Sequence, residues 1–216
     1  MLSLEEEKLI NDRNWDAYFY PSTNVLKNKL NIYDYDELKE IEAEKSFERL
    51  VQIIQSPISG SFDKEHLKGI HAFLFQDLYD WAGEYRNVNM RKETDFVPYT
   101  QIDKLLDIEL KQMHDEEIDI ISKASLASHL TTYFVELMNI HPFREGNGRT
   151  VREFLRQYVY DLTSRLPFGP LELDWNRMDS QYMLDNIYFA RVFRSGYEEQ
   201  FFNGLVERNI DKNMKI

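Results

Sequence analysis

Cysteine is absent from this chain of 216 residues, which excludes disulfide bridges and thiolate metal sites. No apolar run approaches the roughly 18 residues that a membrane-spanning helix needs, so we expect no membrane contact. Basic residues are in the minority, and the net charge of -12 at pH 7 makes direct binding of nucleic acid unfavourable. The stretch MLSLEEEKLI is acidic and has no signal-peptide pattern, so we expect a cytoplasmic protein.

Apolar material, in contrast, is plentiful. Hydrophobic residues make up 43% of the chain and aromatic residues 14%, which is enough for a substantial core. The length suggests a single domain, and no repeat or low-complexity linker interrupts it. We divide it into an N-terminal extension over 1–35, a core over about 36–192 and a C-terminal helix over about 193–216.

Most of the chain has the apolar spacing of three and four that is typical of amphipathic helices, so we predict an all-α protein. Asp36 is expected to open the first helix and Ser122 to cap the third, while Gly83 is expected to end the second. The helical stretches are 38–54, 67–81, 126–138 and 151–162, followed by two more over roughly 177–192 and 196–209.

One stretch, YRNVNMRKETDFVPY at 85–99, breaks the helical pattern. Its apolar residues alternate, stop and then resume, which predicts a short β-hairpin with its turn near 92–95. Pro98 suits an edge strand but not a central one. An exposed edge can accept another chain by strand addition, and a hairpin that only caps the helical bundle is the alternative.

The segment HPFREGNGRT, from His141 to Thr150, places two of the chain's 8 glycines around one asparagine, between two predicted helices. The first turn of the second helix has unpaired backbone N–H groups and partial positive charge. Gly146 and Gly148 carry no side chain that would block a close approach. Together with Asn147 they form a candidate nest for phosphate oxygens.

Charged side chains flank this nest. Arg149 and Arg152 are three apart and hence neighbours on one helix face, where each can offer a planar fork of donors to phosphate. Glu145 would repel phosphates unless a Mg²⁺ ion lay between them, and hard oxygen ligands suit this ion. His141 is the side chain here that titrates near neutral pH, so it is the candidate general base. Phe143 is expected to anchor the loop in the core.

Each of these residues also has an ordinary explanation when taken alone. His141 could cap a helix, Glu145 could complement a helix dipole, and the Gly-Asn-Gly sequence could be a simple turn. Their combination within twelve residues is what favours a functional site. The remaining histidines lack metal-ligand spacing and are expected to be structural or on the surface: His66, His71, His114 and His129.

The motif fills the signature HxFx[D/E]GNGRxxR, and the chain therefore resembles the Fic family. Further similarity lies in YPSTNVLKNKL at Tyr20–Leu30 and in DWAGEYR at Asp80–Arg86, the element that precedes the flap of this family. The resemblance implies one Fic domain over 1–216. Its fold would be a Fic-fold helical bundle with a short β-hairpin flap next to the active-site loop.

The resemblance also implies an enzyme, a protein adenylyltransferase that moves AMP from ATP to a Tyr, Thr or Ser hydroxyl of a target protein and releases pyrophosphate. In such an enzyme, His141 would deprotonate the hydroxyl and Glu145 would hold Mg²⁺ against the phosphates. The residues that would contact the phosphates are Gly146, Asn147, Gly148, Arg149 at the β-phosphate and Arg152 at the γ-phosphate. The flap residues that would dock the target backbone are Arg91, Lys92, Phe96 and Val97.

The resemblance further concerns partners. Toxin-type members modify recipients such as a type II topoisomerase subunit. Many members are restrained by a helix of pattern [S/T]xxxE[G/N], which no segment of this chain completes. We therefore expect a separate small antitoxin-like protein whose glutamate reaches Arg152. A degenerate internal copy at Ser195–Glu199, or no inhibition at all, are the alternatives.

Two other functions stay open. A Fic-fold transferase could use another donor and move UMP, phosphocholine or phosphate, with the base selected by residues near 182–188. A non-catalytic protein-binding adaptor would keep the fold without the chemistry. The unbroken motif argues against the adaptor, because an adaptor gains nothing from His141, Glu145 and Arg152 together.

Overall fold

The computed structural model describes residues 3–167, 169–185 and 194–207. It is a helical bundle, as predicted. Its elements in chain order are α1 (Leu4–Ala17), α2 (Tyr35–Gln55), α3 (Lys64–Phe75), α4 (Ile102–Asp115), α5 (Lys123–Ile140), α6 (Asn147–Thr163), β1 (Leu171–Leu173), α7 (Ser180–Asp185), α8 (Arg194–Gly204) and β2 (Leu205–Glu207). None of the helices in these ranges combines the length and the apolar character that a bilayer crossing requires.

Helix α5 holds the site in place. It packs on α4, α6 and α8, while α3 packs on α2 and α6. Ser122 caps α5 as predicted, and Leu130 and Leu137 of the same helix are fully buried, as are Val151 and Phe154 of α6. Burial of a side chain of this size contributes about 1.5–3 kcal/mol. The loop that joins α5 to α6 is therefore fixed at both ends.

Two helix boundaries differ from the sequence prediction. The N-cap of helix α2 is Asp34, and Asp36 lies inside the first turn. The Asp34 carboxylate accepts a hydrogen bond from the Glu37 backbone N–H. Helix α3 ends at Phe75 rather than near Gly83. The apolar residues that follow Phe75 lie in turns, but they are buried as well. Their spacing therefore looks helical beyond the point where the helix ends.

The two strands were not predicted. Strand β1 pairs with β2 in antiparallel register, with Leu173 opposite Leu205. The helix expected over about 193–216 is α8 within the described residues, and it gives way to β2 at Leu205. The two strands lie far apart in the sequence, so their pairing leaves no sign in local periodicity. The helix expected over roughly 177–192 corresponds to α7 in the structure. Residues 186–193 and 208–216 lie outside the described residues.

The predicted hairpin is present in reduced form. Arg91 and Asp95 form one isolated antiparallel bridge, and the Lys92 N–H donates to the Thr94 carbonyl across the turn. In this described segment the arms on either side of the bridge form no regular ladder. We call Val88–Val97 the flap.

Candidate active site

The loop between α5 and α6 depends on two left-handed residues. His141 ends α5 with φ 49 and ψ 60, and Gly146 precedes α6 with φ 79. A Cβ on Gly146 would lie 2.2 Å from the Phe75 ring, so glycine is required there on two grounds. A Cβ on Gly148 would meet nothing within 4 Å. The first turn of α6 is therefore open to a ligand beside Gly148.

The Asn147 side chain closes this loop on itself. Its Oδ1 accepts from the Phe143 N–H and its Nδ2 donates to the Phe143 carbonyl, both at 2.8 Å. The sequence places Asn147 in a candidate phosphate nest, and here both polar atoms of its side-chain amide are occupied by the Phe143 backbone. The Asn147 backbone N–H, in the first turn of α6, has no intrahelical partner and is the group left to contact a ligand.

Phe143 and His71 support the loop from the core. Phe143 is fully buried, and its ring stacks on the His71 imidazole with centroids 3.8 Å apart. His71 Nδ1 accepts from the Gly83 N–H at 2.8 Å, so its Nε2 carries the proton and donates to the Glu145 carbonyl at 3.1 Å. Burial lowers the pKa of His71 to about 3, which keeps the ring neutral. His71 is thus structural, as expected, but it also positions the active-site loop.

His141 has one fixed tautomer. Its Nδ1 lies 3.3 Å from the Met138 carbonyl, which can only accept, so Nδ1 is protonated and Nε2 keeps its lone pair. The imidazole stacks on Phe96 of the flap with centroids 3.9 Å apart. Burial, opposed by the Met138 hydrogen bond, lowers the pKa of His141 to about 4. The ring is therefore neutral at neutral pH, with a proton on Nδ1 and Nε2 as the acceptor.

A cavity of about 590 Å³ opens beside this loop. Its polar wall comes from the loop and the start of α6, while its apolar wall comes from α5 and the segment around α7. Flap residues cover one side. The lining residues include Arg91, Lys92, Phe96, Phe134, Met138, His141, Arg144, Glu145, Asn147, Gly148, Arg152, Trp175, Met178 and Met183.

The two motif arginines, which the sequence predicts to contact one ligand, have different surroundings in this structure. The Arg152 guanidinium lines the cavity, 5.9 Å from the Trp175 ring centroid. Arg149 lies outside that lining, and it donates to Glu42 Oε1 at 2.5 Å and to Ser46 Oγ at 2.8 Å. Both partners are on α2, far away in sequence, so spacing along α6 could not reveal them. In this structure Arg149 ties the start of α6 to α2.

Arg152 is a half-buried cation in the cavity wall. Burial, and secondly the charge of Arg149, lower the pKa of Arg152, although guanidinium groups stay protonated in proteins. Among the described residues no carboxylate forms an ion pair with Arg152. An anionic ligand in the cavity would supply the missing counter-charge.

Glu145 lies at the edge of the cavity with 46% of its side chain exposed. Its Oε1 accepts from the Gly146 N–H at 3.0 Å and lies 3.7 Å from Arg149 Nη2, while Oε2 has no such contact among the described residues. The described part of the chain has no cluster of three or more metal-ligating side chains. A Mg²⁺ ion held by one carboxylate and by the oxygens of a bound phosphate fits this donor set.

The flap residues fall into two groups. Arg91 and Lys92 are exposed at the turn, whereas Phe96 covers His141. The Val97 carbonyl accepts from Arg86, and its N–H lies 3.5 Å from the Asn139 carbonyl. The backbone groups of Val97 are therefore paired within the chain. Arg86, which sequence reasoning did not assign to the site, is buried directly behind the flap.

Comparisons with known proteins identify relatives of this chain. Residues 61–159 match the family model of the Fic/DOC family. Protein adenylyltransferase VbhT of Bartonella schoenbuchensis is 35% identical over 170 residues, 78% of this chain, and this chain spans 34% of that relative's length. Probable protein adenylyltransferase y4lH of Sinorhizobium fredii is 32% identical over 173 residues, covering 79% of this chain and 85% of that protein.

A solved structure has the same fold. BepC of Bartonella tribocorum, crystallised with bound AMPPNP, superposes with a TM-score of 0.77 at 23% identity, covering 89% of this chain and 98% of that one. From the sequence matches, the chain belongs to the Fic/DOC family.

Proposed function

We propose that this protein is an adenylyltransferase, which moves AMP from ATP to a Tyr, Thr or Ser hydroxyl of a target protein and releases pyrophosphate. The observation that carries the proposal is the pairing of an unprotonated His141 Nε2 with an open helix N-terminus in one cavity. Relatives named as adenylyltransferases support it, as does the structure of BepC with a bound ATP analogue.

The phosphates of ATP would lie at the start of α6. There the Asn147 and Gly148 backbone N–H groups are free of intrahelical partners, and the helix dipole adds partial positive charge. Arg152 would meet the terminal phosphate from the cavity wall. Glu145 would hold Mg²⁺, which when bound neutralises charge on the phosphate oxygens.

The adenosine part would lie against the apolar wall. Phe134, Met138, Trp175, Met178 and Met183 form this wall, and their soft and aromatic surfaces suit a flat heterocycle. These residues come from α5 and from the segment around α7. Base selection therefore belongs partly to the segment beyond the residues that match the family model.

The target hydroxyl would approach His141 from the flap side. His141 Nε2 takes the hydroxyl proton as the oxygen attacks the α-phosphorus, a new O–P bond forms, and the bond from the α-phosphorus to the leaving pyrophosphate breaks. The proton on the imidazole then passes to solvent. Arg91 and Lys92, exposed at the turn of the flap, would contact the target chain.

The proposal also covers the inhibition of the enzyme, its cellular location and its recipient. We infer that a separate small inhibitor protein supplies a glutamate to Arg152, since no described carboxylate pairs with it and Glu199 on α8 is exposed. The enzyme would act in the cytoplasm. A type II topoisomerase subunit is one recipient that the family resemblance suggests.

One labelling experiment tests the proposal. The purified protein is incubated with a cell lysate and with ATP labelled at either the α- or the γ-phosphate, and modified proteins are analysed by mass spectrometry. We expect the α-label on protein, the γ-label in free pyrophosphate, and an adduct of one AMP per site. Transfer of the γ-label, or an adduct of UMP or phosphocholine, would contradict the proposed donor chemistry.

A further inference from the structure

Arg86 is a buried cation that satisfies four backbone carbonyls. Its side chain lies in the core with 2% exposure. Nε donates to the His141 carbonyl at 2.8 Å, and Nη2 donates to the Ile140 carbonyl at 3.2 Å. Nη1 donates to Val88 at 2.6 Å, and Nη2 also donates to Val97 at 2.5 Å. One guanidinium thus joins the end of α5 to both ends of the flap.

This arrangement is unusual because burial of an unpaired charge is costly. Within the described residues no carboxylate forms an ion pair with Arg86, and burial lowers its pKa to about 10. The carbonyls at the C-terminus of α5 carry partial negative charge, which partly offsets the cost. A position that only filled space would be served better by an apolar side chain, so the guanidinium itself has a role.

The contacts of Arg86 converge on a strained residue of the site and on the flap. His141 has a positive φ, which costs free energy in a residue with a Cβ. Its carbonyl is held by Arg86, while the Arg86 backbone N–H donates to the Pro142 carbonyl at 2.9 Å. On the flap side, the Val97 carbonyl that Arg86 holds directly follows Phe96, whose ring stacks on His141.

We propose that Arg86 is a positioning residue for the transfer step, which rests on the function proposed above. Arg86 fixes the position of the flap arm that carries Phe96 relative to the left-handed turn at His141. The imidazole and the aromatic ring therefore stay stacked, with Nε2 presented to the cavity. Arg86 touches neither the reacting atoms nor the nucleotide, so its loss would slow chemistry without weakening ATP binding.

The test compares Arg86→Met and Arg86→Lys with a matched control, Arg156→Met. Arg156 is also a buried arginine, with 7% exposure, but it pairs with Glu153 and does not line the cavity. AMP transfer is measured on the acceptor found by labelling, ATP affinity by calorimetry, and stability by thermal unfolding. All rates are taken at a temperature where each variant is folded.

We expect Arg86→Met to lower kcat by about 10²-fold, the cost of a small misplacement of a catalytic group, with Kd for Mg²⁺·ATP nearly unchanged. Arg86→Lys keeps the charge and three donors but lacks the planar fork. Its kcat should therefore lie between that of the wild-type protein and that of Arg86→Met. Arg156→Met should lower stability and leave kcat unchanged. Faster amide exchange at Phe96 and Val97, and shifted His141 ring signals in NMR, should appear in the Arg86 variants alone.

Three results would overturn the proposal: normal kcat in folded Arg86→Met, equal loss of kcat in Arg156→Met at equal stability, or a parallel loss of ATP affinity. If Arg86→Met does not fold, the test uses Arg86→Lys instead. A lower kcat with an unchanged Kd for Mg²⁺·ATP would support the proposal, and a normal kcat would overturn it. If the wild-type protein transfers no AMP at all, the proposed function fails, and the exchange and NMR measurements still judge whether Arg86 holds His141 and the flap.

Discussion

The imidazole of His141 and the ring of Phe96 lie face to face, 3.9 Å apart between centroids and 13° from parallel. One ring belongs to the loop after α5 and the other to the flap. The stack contributes to the burial of the histidine, and burial lowers the pKa of His141 to about 4. The general base is therefore already unprotonated throughout the neutral range, and the flap controls its environment.

Phe96→Ala should change the pH dependence of kcat. In the wild-type protein, activity requires unprotonated His141 and should fall only as pH drops towards about 4. Without the Phe96 ring the imidazole is more exposed, so its pKa rises towards the ordinary value of about 6.5 and the acidic limb moves to higher pH. Phe47→Ala, at an exposed position on α2, is the control. An identical acidic limb in Phe96→Ala would refute this effect of the flap.

The two motif glycines should respond differently to alanine. Gly146→Ala should destabilise the protein strongly, because its φ is 79 and the new Cβ would overlap the Phe75 ring. Gly148→Ala should fold at least as well as wild type, since alanine is favoured over glycine inside a helix by about 1 kcal/mol. Its methyl group would instead occupy the open space where a phosphate is expected.

Thermal unfolding and ATP titration separate these outcomes. We expect Gly148→Ala to retain its melting temperature and lose ATP affinity. Unchanged ATP affinity in this variant would mean that phosphates do not approach the first turn of α6.

Arg149 should act through Glu42 rather than through ATP. Their side chains are 25% and 13% exposed, so the pair is partly shielded from water. In a double-mutant cycle with Glu42→Gln and Arg149→Gln, we expect coupling of about 0.5–3 kcal/mol in unfolding free energy. Arg152→Gln should instead weaken binding of ATP more than of AMP. If Arg149→Gln showed that same nucleotide pattern and no coupling to Glu42, Arg149 would be a phosphate ligand after all.

His71 should make the protein less stable in acid. Its pKa is about 3 in the folded state, whereas an unfolded histidine titrates near its ordinary value of about 6.5. Between these values the unfolded chain binds the extra proton, so stability is complete above about pH 6.5 and falls as pH decreases. His71→Gln should reduce this slope by about 1.4 kcal/mol per pH unit between about pH 4 and 6. Urea unfolding across this range measures the pH dependence of stability. An unchanged slope in His71→Gln would contradict a lowered pKa of His71 in the folded state.

Local sequence was informative where the functional groups are contiguous. The motif from His141 to Arg152 spans one loop and one helix start, so its spacing predicts that these residues lie together at the start of α6, although not that Arg149 contacts α2. Helical periodicity likewise predicted the bundle, because each amphipathic helix carries its own pattern.

Contacts between distant segments were beyond such reasoning. The pairing of Arg149 with Glu42 joins α6 to α2, and the contacts of Arg86 and His71 reach the loop from residues far upstream. A buried arginine or histidine has no spacing that distinguishes it from a surface one. The β1–β2 pairing was missed for the same physical reason, since strand partners are chosen by the fold.

The most direct test of the central claim is AMP transfer by His141→Ala, measured together with its affinity for Mg²⁺·ATP. If His141 is the base, transfer should fall by about 10²–10⁴-fold, the usual contribution of a positioned general base. The Kd for Mg²⁺·ATP should stay close to that of the wild-type protein, because the phosphates are held at the start of α6. Near-normal transfer by this variant would contradict the account.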